Sequence, residues 1–228
     1  MVDKKVKEKI INDIDLEKNI VKLVIDLAME FGQEKKGSFF IITNRNLKPY
    51  YSWLYTDILE KTKVKINNQR ILPVIRKLAE LDGAIIIDED GYLIAYGAQI
   101  KKTKHYKGHG TRHSAALGIS EVPGTLSIIS SEEDGAVRIM KNGKTLIEIN
   151  PFTKTPPTLS EKIAELLTSP SLPLIGGGSI GALALGLNPF VAAIVFTGSY
   201  IITKSGARSL GEFLKRGPTV LKEKKGEE

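Results

Sequence analysis

Apolar residues along this chain switch between two spacings, and each switch marks a new structural element. In "DLEKNIVKLVIDLAMEFG", Ile20, Leu23, Val24, Leu27 and Ala28 recur at three- and four-residue intervals. They fall on one helical face, and Gly32 ends the stretch as a C-cap. "GSFFIITN" is an unbroken apolar run closed by turn residues, which predicts a short buried strand. "NNQRILPVIRKLAELDG" returns to helical spacing, with Pro73 tolerated in the first turn. "AIIIDEDGYLIAYGAQI" predicts two strands joined by the hairpin turn Asp88-Glu89-Asp90-Gly91. "RHSAALGISE" predicts a helix opening just after Gly110. "GTLSIISSEEDGAVRIMKNGKTLIEI" predicts three strands linked by turns at Gly135 and at Asn142-Gly143. "TLSEKIAELL" predicts a helix with a capping box from Thr158 to Glu161. This irregular alternation, continuing to about residue 168, implies an α/β fold with a mixed β-sheet flanked by helices.

Beyond Glu165 the pattern changes. No charged residue occurs from Leu166 to Thr203, and from Leu172 onward the chain is rich in Gly, Ala, Leu and Ile. The run is long enough to cross a bilayer, which needs about 20 apolar residues per helix. It is interrupted at Gly176-Gly177-Gly178 and at Asn188-Pro189, and the tail from Lys204 to Glu228 carries seven Lys or Arg against four Glu. Basic flanks favour the cytoplasmic side. A C-terminal hydrophobic helical hairpin turning at Asn188-Pro189 is the favoured reading; a single tilted span and a buried or oligomer-forming segment stay open. The expected organisation is a globular domain over 1–165, a membrane-associated segment over 166–203 and a basic tail over 204–228. The globular part would then be cytoplasmic and attached to the membrane through residues 172–203.

Composition narrows the function classes. With 42% hydrophobic and 26% charged residues, wholesale disorder is excluded. No cysteine is present, so disulfides and cysteine-ligated metal centres are excluded. The opening "MVDKKVKEKIINDIDLEKNI" is too charged for a secretory leader. A net charge of +7 favours anionic partners. No zinc finger, aromatic RNA-binding motif or helix-turn-helix pairing accompanies that charge, so nucleic acid is not an expected partner.

Three stretches carry candidate chemistry. All three histidines, His105, His109 and His113, lie four residues apart, a spacing that suits a metal site on a helix. Gly108 and Gly110 oppose that helix, each costing about 1 kcal/mol relative to Ala, and "KTKHYKGHG" reads better as a basic loop. "GHGTRH" places Gly110, Thr111 and Arg112 at a helix start, where free N–H groups and the dipole bind phosphate; a solvated helix cap is the plainer alternative. In "LDGAIIID", Asp82 before Gly83 could hold Mg²⁺ or deprotonate a hydroxyl, or serve only the turn. "SSEEDG" offers paired carboxylates that are either metal ligands or a solvated turn.

In combination, "LDGAIII" (81–87), "GTRHSAALGISE" (110–121) and "SSEEDGAVRI" (130–139) resemble the diadenylate cyclase domain family. That family carries an Asp-Gly-Ala motif, an Arg-His-Arg motif after Gly-Thr, and a Ser-Glu-Glu turn. The resemblance runs from about Ile20 to Ile149.

The resemblance implies the diadenylate cyclase fold and the condensation of two ATP into cyclic di-AMP and two pyrophosphates. It implies a homodimer or higher oligomer in which two sites face each other, and Mg²⁺ or Mn²⁺ as cofactor. Carried over, Asp82, Arg112 and His113 would be catalytic, Asp82 by binding the metal or activating the 3′-hydroxyl. Thr111, Arg112 and His113 would hold the triphosphate, with Gly110 opening the helix. Gly83 and Ala84 would shape the nucleotide pocket through their backbone, and Ile100 would pack on adenine. Ser131 would lie near phosphate, and Glu132 and Glu133 would join Asp82 at the metal. The family's second motif arginine is Ser114 here, a charge that Lys104, Lys107 or His109 would have to replace. Without it, the same fold could be a catalytically silent ATP or cyclic di-AMP sensor.

Overall fold

The computed structural model describes residues 18–55, 63–152 and 157–168. The predicted hydrophobic hairpin beyond Thr168 and the basic tail lie outside these residues, as do the first 17 residues of the predicted globular domain. Among the described residues, no helix is long and apolar enough to cross a membrane.

The elements run α1 (Lys18–Gln33), β1 (Ser38–Thr43), a 3-10 turn (Lys48–Tyr50), β2 (Tyr51–Trp53), α2 (Leu72–Ala79), β3 (Ala84–Asp88), β4 (Leu93–Ile100), α3 (Thr111–Ile119), β5 (Thr125–Ser130), β6 (Val137–Lys141), β7 (Lys144–Ile149) and α4 (Leu159–Thr168). The seven strands form one sheet in the order β2-β4-β3-β1-β5-β6-β7. Among the described residues, only β1 and β3 pair in parallel, with Phe40 opposite Ile85 and Ile42 opposite Ile87. Every other pairing is antiparallel. The mixed sheet flanked by helices is therefore the observed architecture.

Both faces of the sheet are covered, which explains why β1 and β3 read as unbroken apolar runs rather than alternating ones. Phe40 and Ile42 face one core with α1, α2 and α4, while Phe39 and Ile41 face a second core closed by α3. Fully burying each of these side chains contributes about 1.5–3 kcal/mol. α1 buries a wider stripe than its spacing predicts: Val21, Ile25 and Phe31 are also buried, whereas Leu23 packs only at the margin. α4 runs past the predicted boundary at Glu165, with Leu167 buried in the first core.

Local predictions differ in outcome. Pro73 does open a helix, but α2 starts at Leu72, and the preceding "NNQRI" forms turns. The 88–91 hairpin is closed by the Asp88 carboxylate, which accepts from Asp90 N (3.1 Å) and Tyr92 N (2.7 Å). Asn142 and Gly143 both take positive φ (53° and 67°), as a two-residue hairpin turn of this twist requires. Glu161 pairs with Lys18 of α1 at 3.5 Å. Gly32 is not a C-cap. It lies inside α1, and the left-handed residue beyond the helix is Lys35 (φ 52°). Gly32 is small for another reason, since a Cβ there would overlap the Gly135 carbonyl oxygen.

Candidate active site

A cleft of about 430 Å³ opens where four segments meet: the 81–83 turn before β3, the end of β4, the start of α3 and the 131–133 turn after β5. Each segment is held there by a different device.

The Asp82-Gly83 turn is fixed by backbone contact. Gly83 has φ 95°, and a Cβ on it would stand 2.6 Å from the Gly97 carbonyl carbon and 2.8 Å from Ala98 N. Only glycine permits both the conformation and the approach. Asp82 Oδ1 accepts from Gly83 N at 3.0 Å, while its carboxylate stays 80% exposed at the cleft rim. We expect Gly83→Ala to destabilise the fold by about 1–3 kcal/mol, read as a lowered urea midpoint.

α3 starts at the cleft with Gly110 as N-cap and no side-chain capping bond. Its first-turn N–H groups lack intrahelical partners, so they and the positive dipole end are available to an anion. A Cβ on Gly110 would meet nothing within 4 Å, so the approach to these groups is open. Arg112 projects from this turn. Its Nη1 donates to Glu132 Oε1 at 2.7 Å and its Nη2 stands 3.8 Å from Asp82 Oδ1, so one guanidinium bridges two of the three predicted acidic positions.

Gly37, just before β1, lies against this bridge. A Cβ there would overlap Arg112 Nη1 and Glu132 Oε1 and lie 2.9 Å from Glu132 Cγ. The obstructed atoms are mostly the ends of flexible side chains. Gly37→Ala should therefore keep its melting temperature and displace the guanidinium instead, read as a shifted Arg112 side-chain ¹⁵N–¹H resonance. An unshifted Arg112 resonance would show that Gly37 does not set the position of the bridge.

His113, one residue further along α3, is buried (8% exposed) and lines the same cleft. Its Nε2 lies 3.2 Å from Nη1 of Arg138 on β6. Arg138 is only 3% exposed and is neutralised by Asp134 (2.6 Å) and Glu148 (3.1 Å). Burial, the Arg138 charge, His109 and Arg112 together push the His113 imidazole down to about 4. Burial alone would raise the Asp134 carboxyl, but hydrogen bonds from Arg138 and the 131–136 turn hold it well below the usual range.

A pH prediction follows from His113. The unfolded chain protonates it near 6.5, whereas the fold keeps it neutral to about 4. Between these values the unfolded state binds more protons, so stability should fall as pH drops from 6.5 towards 4. His109, also lowered by burial, acts in the same direction. Thermal melts across this range should slope less in His113→Gln than in the parent chain.

The three histidines do not share one site. His105 is exposed, while His109 and His113 stack with Tyr106, at 4.4 Å between Tyr106 and His109 and 4.6 Å between the two imidazoles. The four-residue spacing of the last two thus serves ring packing. Among the described residues, no group of three or more His, Asp or Glu is placed to hold a metal ion.

The cleft is lined by Asp82, Gly83, Ile100, Gly110, Thr111, Arg112, His113, Ser131, Glu132 and Glu133, all singled out from sequence. Ala84 is not in its wall. The methyl is fully buried beneath it, because strand alternation turns that position into the α3-side core. Ser131 is buried, and its hydroxyl accepts from Glu133 N (3.3 Å) and Asp134 N (3.4 Å), shaping the acidic turn. Of the residues considered as replacements at Ser114, Lys104 is held by the Gly143 carbonyl (3.1 Å) and Glu121 (3.0 Å). Burial lowers the His109 imidazole from its ordinary value, and Lys107 is exposed on the loop. Ser114 itself bonds back to the Gly110 carbonyl at 3.3 Å.

Sequence reasoning missed Gly37, Arg138 and the apolar lining residues Phe39 and Leu54. A signal existed for Arg138. In "AVRIMK" a lone arginine alternates with Val137 and Ile139, which places it on the opposite sheet face from α1 and α4.

Comparison with known proteins agrees with these motifs. A diadenylate cyclase of Methanocaldococcus jannaschii is 30% identical over 144 residues, covering 59% of this chain and 47% of its own. One from Haloferax volcanii is 28% identical over 142 residues, covering 58% and 53%. The cyclic di-AMP synthase of Bacillus subtilis is 65% identical over a stretch of 34 residues, covering 15% of this chain and 12% of its own. The chain spans about half the length of the first two relatives. Residues 27–145, from within α1 to the start of β7, match the family described as DisA bacterial checkpoint controller nucleotide-binding, and the chain belongs to that family.

Proposed function

We propose that this chain is a diadenylate cyclase that condenses two ATP molecules into cyclic di-AMP and two pyrophosphates. The observation that carries this reading is a single cleft whose wall combines apolar residues with an arginine, an open helix start and carboxylates. Phe39, Leu54, Ala98 and Ile100 offer apolar surface to a base. Arg112 and the open amides of α3 offer a positive centre to a triphosphate, beside the Asp82 and Glu132 carboxylates.

In each half-reaction the 3′-oxygen of one ATP bonds to the α-phosphorus of the other. The bond from that phosphorus to the bridging oxygen breaks, and pyrophosphate leaves with the electron pair. Such transfers depend mainly on positioning and charge neutralisation. Arg112, freed from Glu132, would meet the triphosphate, and Asp82 would take the 3′-hydroxyl proton or hold a phosphate-bound cation. The residues fit Mg²⁺ or Mn²⁺ of the kind held by one or two carboxylates plus substrate phosphates, rather than a closed protein cage. Asp82 is well exposed and beyond hydrogen-bond distance of Arg112, whereas Glu132 must exchange its arginine partner first. When bound, the cation would neutralise charge on the phosphates. Two clefts must face each other, so the working unit is a homodimer or a higher oligomer. Attachment to a membrane through residues 172–203 belongs to the same proposal, and fractionation of cells with and without residues 170–228 tests it.

The deciding assay incubates the full chain with ATP and Mg²⁺ or Mn²⁺ and identifies the product by mass. Two pyrophosphates per cyclic di-AMP are expected. ATP bound by a dimer but never cyclised would favour a silent nucleotide sensor, the reading to which Ser114 points.

A further inference from the structure

We propose that Arg138 is a positioning residue for this reaction: its guanidinium, buried beneath α3, donates to Nε2 of His113 and fixes that imidazole as the neutral form protonated at Nδ1. The inference rests on the cyclase reading for its catalytic consequence, but not for the state of the ring.

The direction of the hydrogen bond follows from chemistry. An arginine side chain has five N–H donors, no acceptor, and remains protonated in proteins. The 3.2 Å contact between Arg138 Nη1 and His113 Nε2 therefore requires Nε2 to accept. An imidazole that accepts at Nε2 is not an imidazolium, so its single proton resides on Nδ1. The guanidinium is itself immobilised. Its Nη2 donates to Asp134 Oδ2 at 2.6 Å, and its Nε donates to Glu148 Oε2 at 3.1 Å. A buried cation held from two directions cannot rotate to release Nε2 without leaving a carboxylate unpaired.

The ring plane is held as well as the ring edge. His109 stacks on His113, Tyr106 stacks on His109, and the Tyr106 hydroxyl accepts from Thr145 Oγ1 of β7 at 3.2 Å. The charged and titratable groups around His113 are then Arg138 on β6, His109 and Tyr106 on the preceding loop, and Arg112 on its own helix. Asp134 and Glu148 lie beyond Arg138. His113 thus meets the triphosphate as a fixed neutral donor, while Arg112 alone on this helix turn brings a full positive charge. Fixing a donor before the substrate arrives avoids reorganisation during the reaction.

The test uses the full chain labelled with ¹⁵N-histidine. With only three histidines, the His113 resonances are identified by their loss in His113→Gln. At neutral pH, long-range ¹⁵N–¹H spectra should show Nδ1 protonated and Nε2 bare in the parent protein. Arg138→Lys keeps a cation for Asp134 and Glu148 but loses the directed fork. In it the His113 signals should move towards a mixture of tautomers, and kcat should fall roughly 10–100-fold with KM for ATP little changed. An Nε2-protonated His113 in the active parent enzyme would overturn the positioning claim alone, whatever the variant does. A shifted tautomer in Arg138→Lys with undiminished kcat would overturn it equally. Nδ1-protonated His113 in a parent chain that makes no cyclic di-AMP would defeat the cyclase reading and the catalytic role with it, while the fixed ring would stand.

Discussion

Replacing Arg112 with alanine should reduce cyclic di-AMP formation by about 10³-fold or more, the range seen when an arginine that stabilises a transferring phosphoryl group is lost. This guanidinium spans from Glu132 at 2.7 Å to Asp82 at 3.8 Å, so it stands where the cleft's acidic rim and the start of α3 converge. Fold stability should hardly change. Asp82 and Glu132 are both well exposed, and ion pairs of that kind contribute about 0–1 kcal/mol. Arg112→Lys should recover charge but not the planar fork, giving turnover between alanine and the parent. Product quantified by mass, alongside a thermal melt, checks both parts. Turnover within tenfold of the parent in Arg112→Ala would remove Arg112 from the mechanism.

Asp82→Asn is expected to have a comparable effect, again roughly 10³-fold on turnover, for a different reason. Asparagine keeps an oxygen that can accept from Gly83 N, so the turn and its contact with Gly97 should survive. What disappears is the negative charge needed to hold a phosphate-bound cation or to accept the 3′-hydroxyl proton. The diagnostic measurement is a Mn²⁺ titration of residual activity together with ATP binding in chelator. Weakened metal dependence with retained nucleotide binding is expected. A melting temperature lowered by many degrees, with metal dependence unchanged, would instead mean that Asp82 serves only the turn.

Much of this molecule is legible locally. Elements appear where apolar spacing changes, because a helix or strand buries one face through residues close in sequence. The motif residues were readable for a similar reason: Thr111, Arg112 and His113 share one helical turn, and Glu132 and Glu133 share one turn between strands. Where sequence reading failed, a distant partner decided the outcome. Gly32 sits where a C-cap would be expected, yet its lack of a side chain answers the Gly135 carbonyl across the fold. The basic loop expected around His105 and His109 is present, but nothing local showed that His109 and His113 would stack with Tyr106 or that Arg138 would meet His113.

The sequence by itself determined the succession of elements apart from the 3-10 turn and β2, the mixed α/β class and most of the polar residues around the cleft. Those properties depend on periodicity and on short contiguous motifs. Tertiary structure alone decided that β1 and β3 pair in parallel at the centre, and that α3 covers the sheet face opposite α1 and α4. From this arrangement come Gly37 against Arg112, Arg138 beneath His113, and Ala84 in the core instead of the cleft wall. The physical reason is that alternation along a strand assigns each side chain to one of two faces, but only packing determines which helix meets that face.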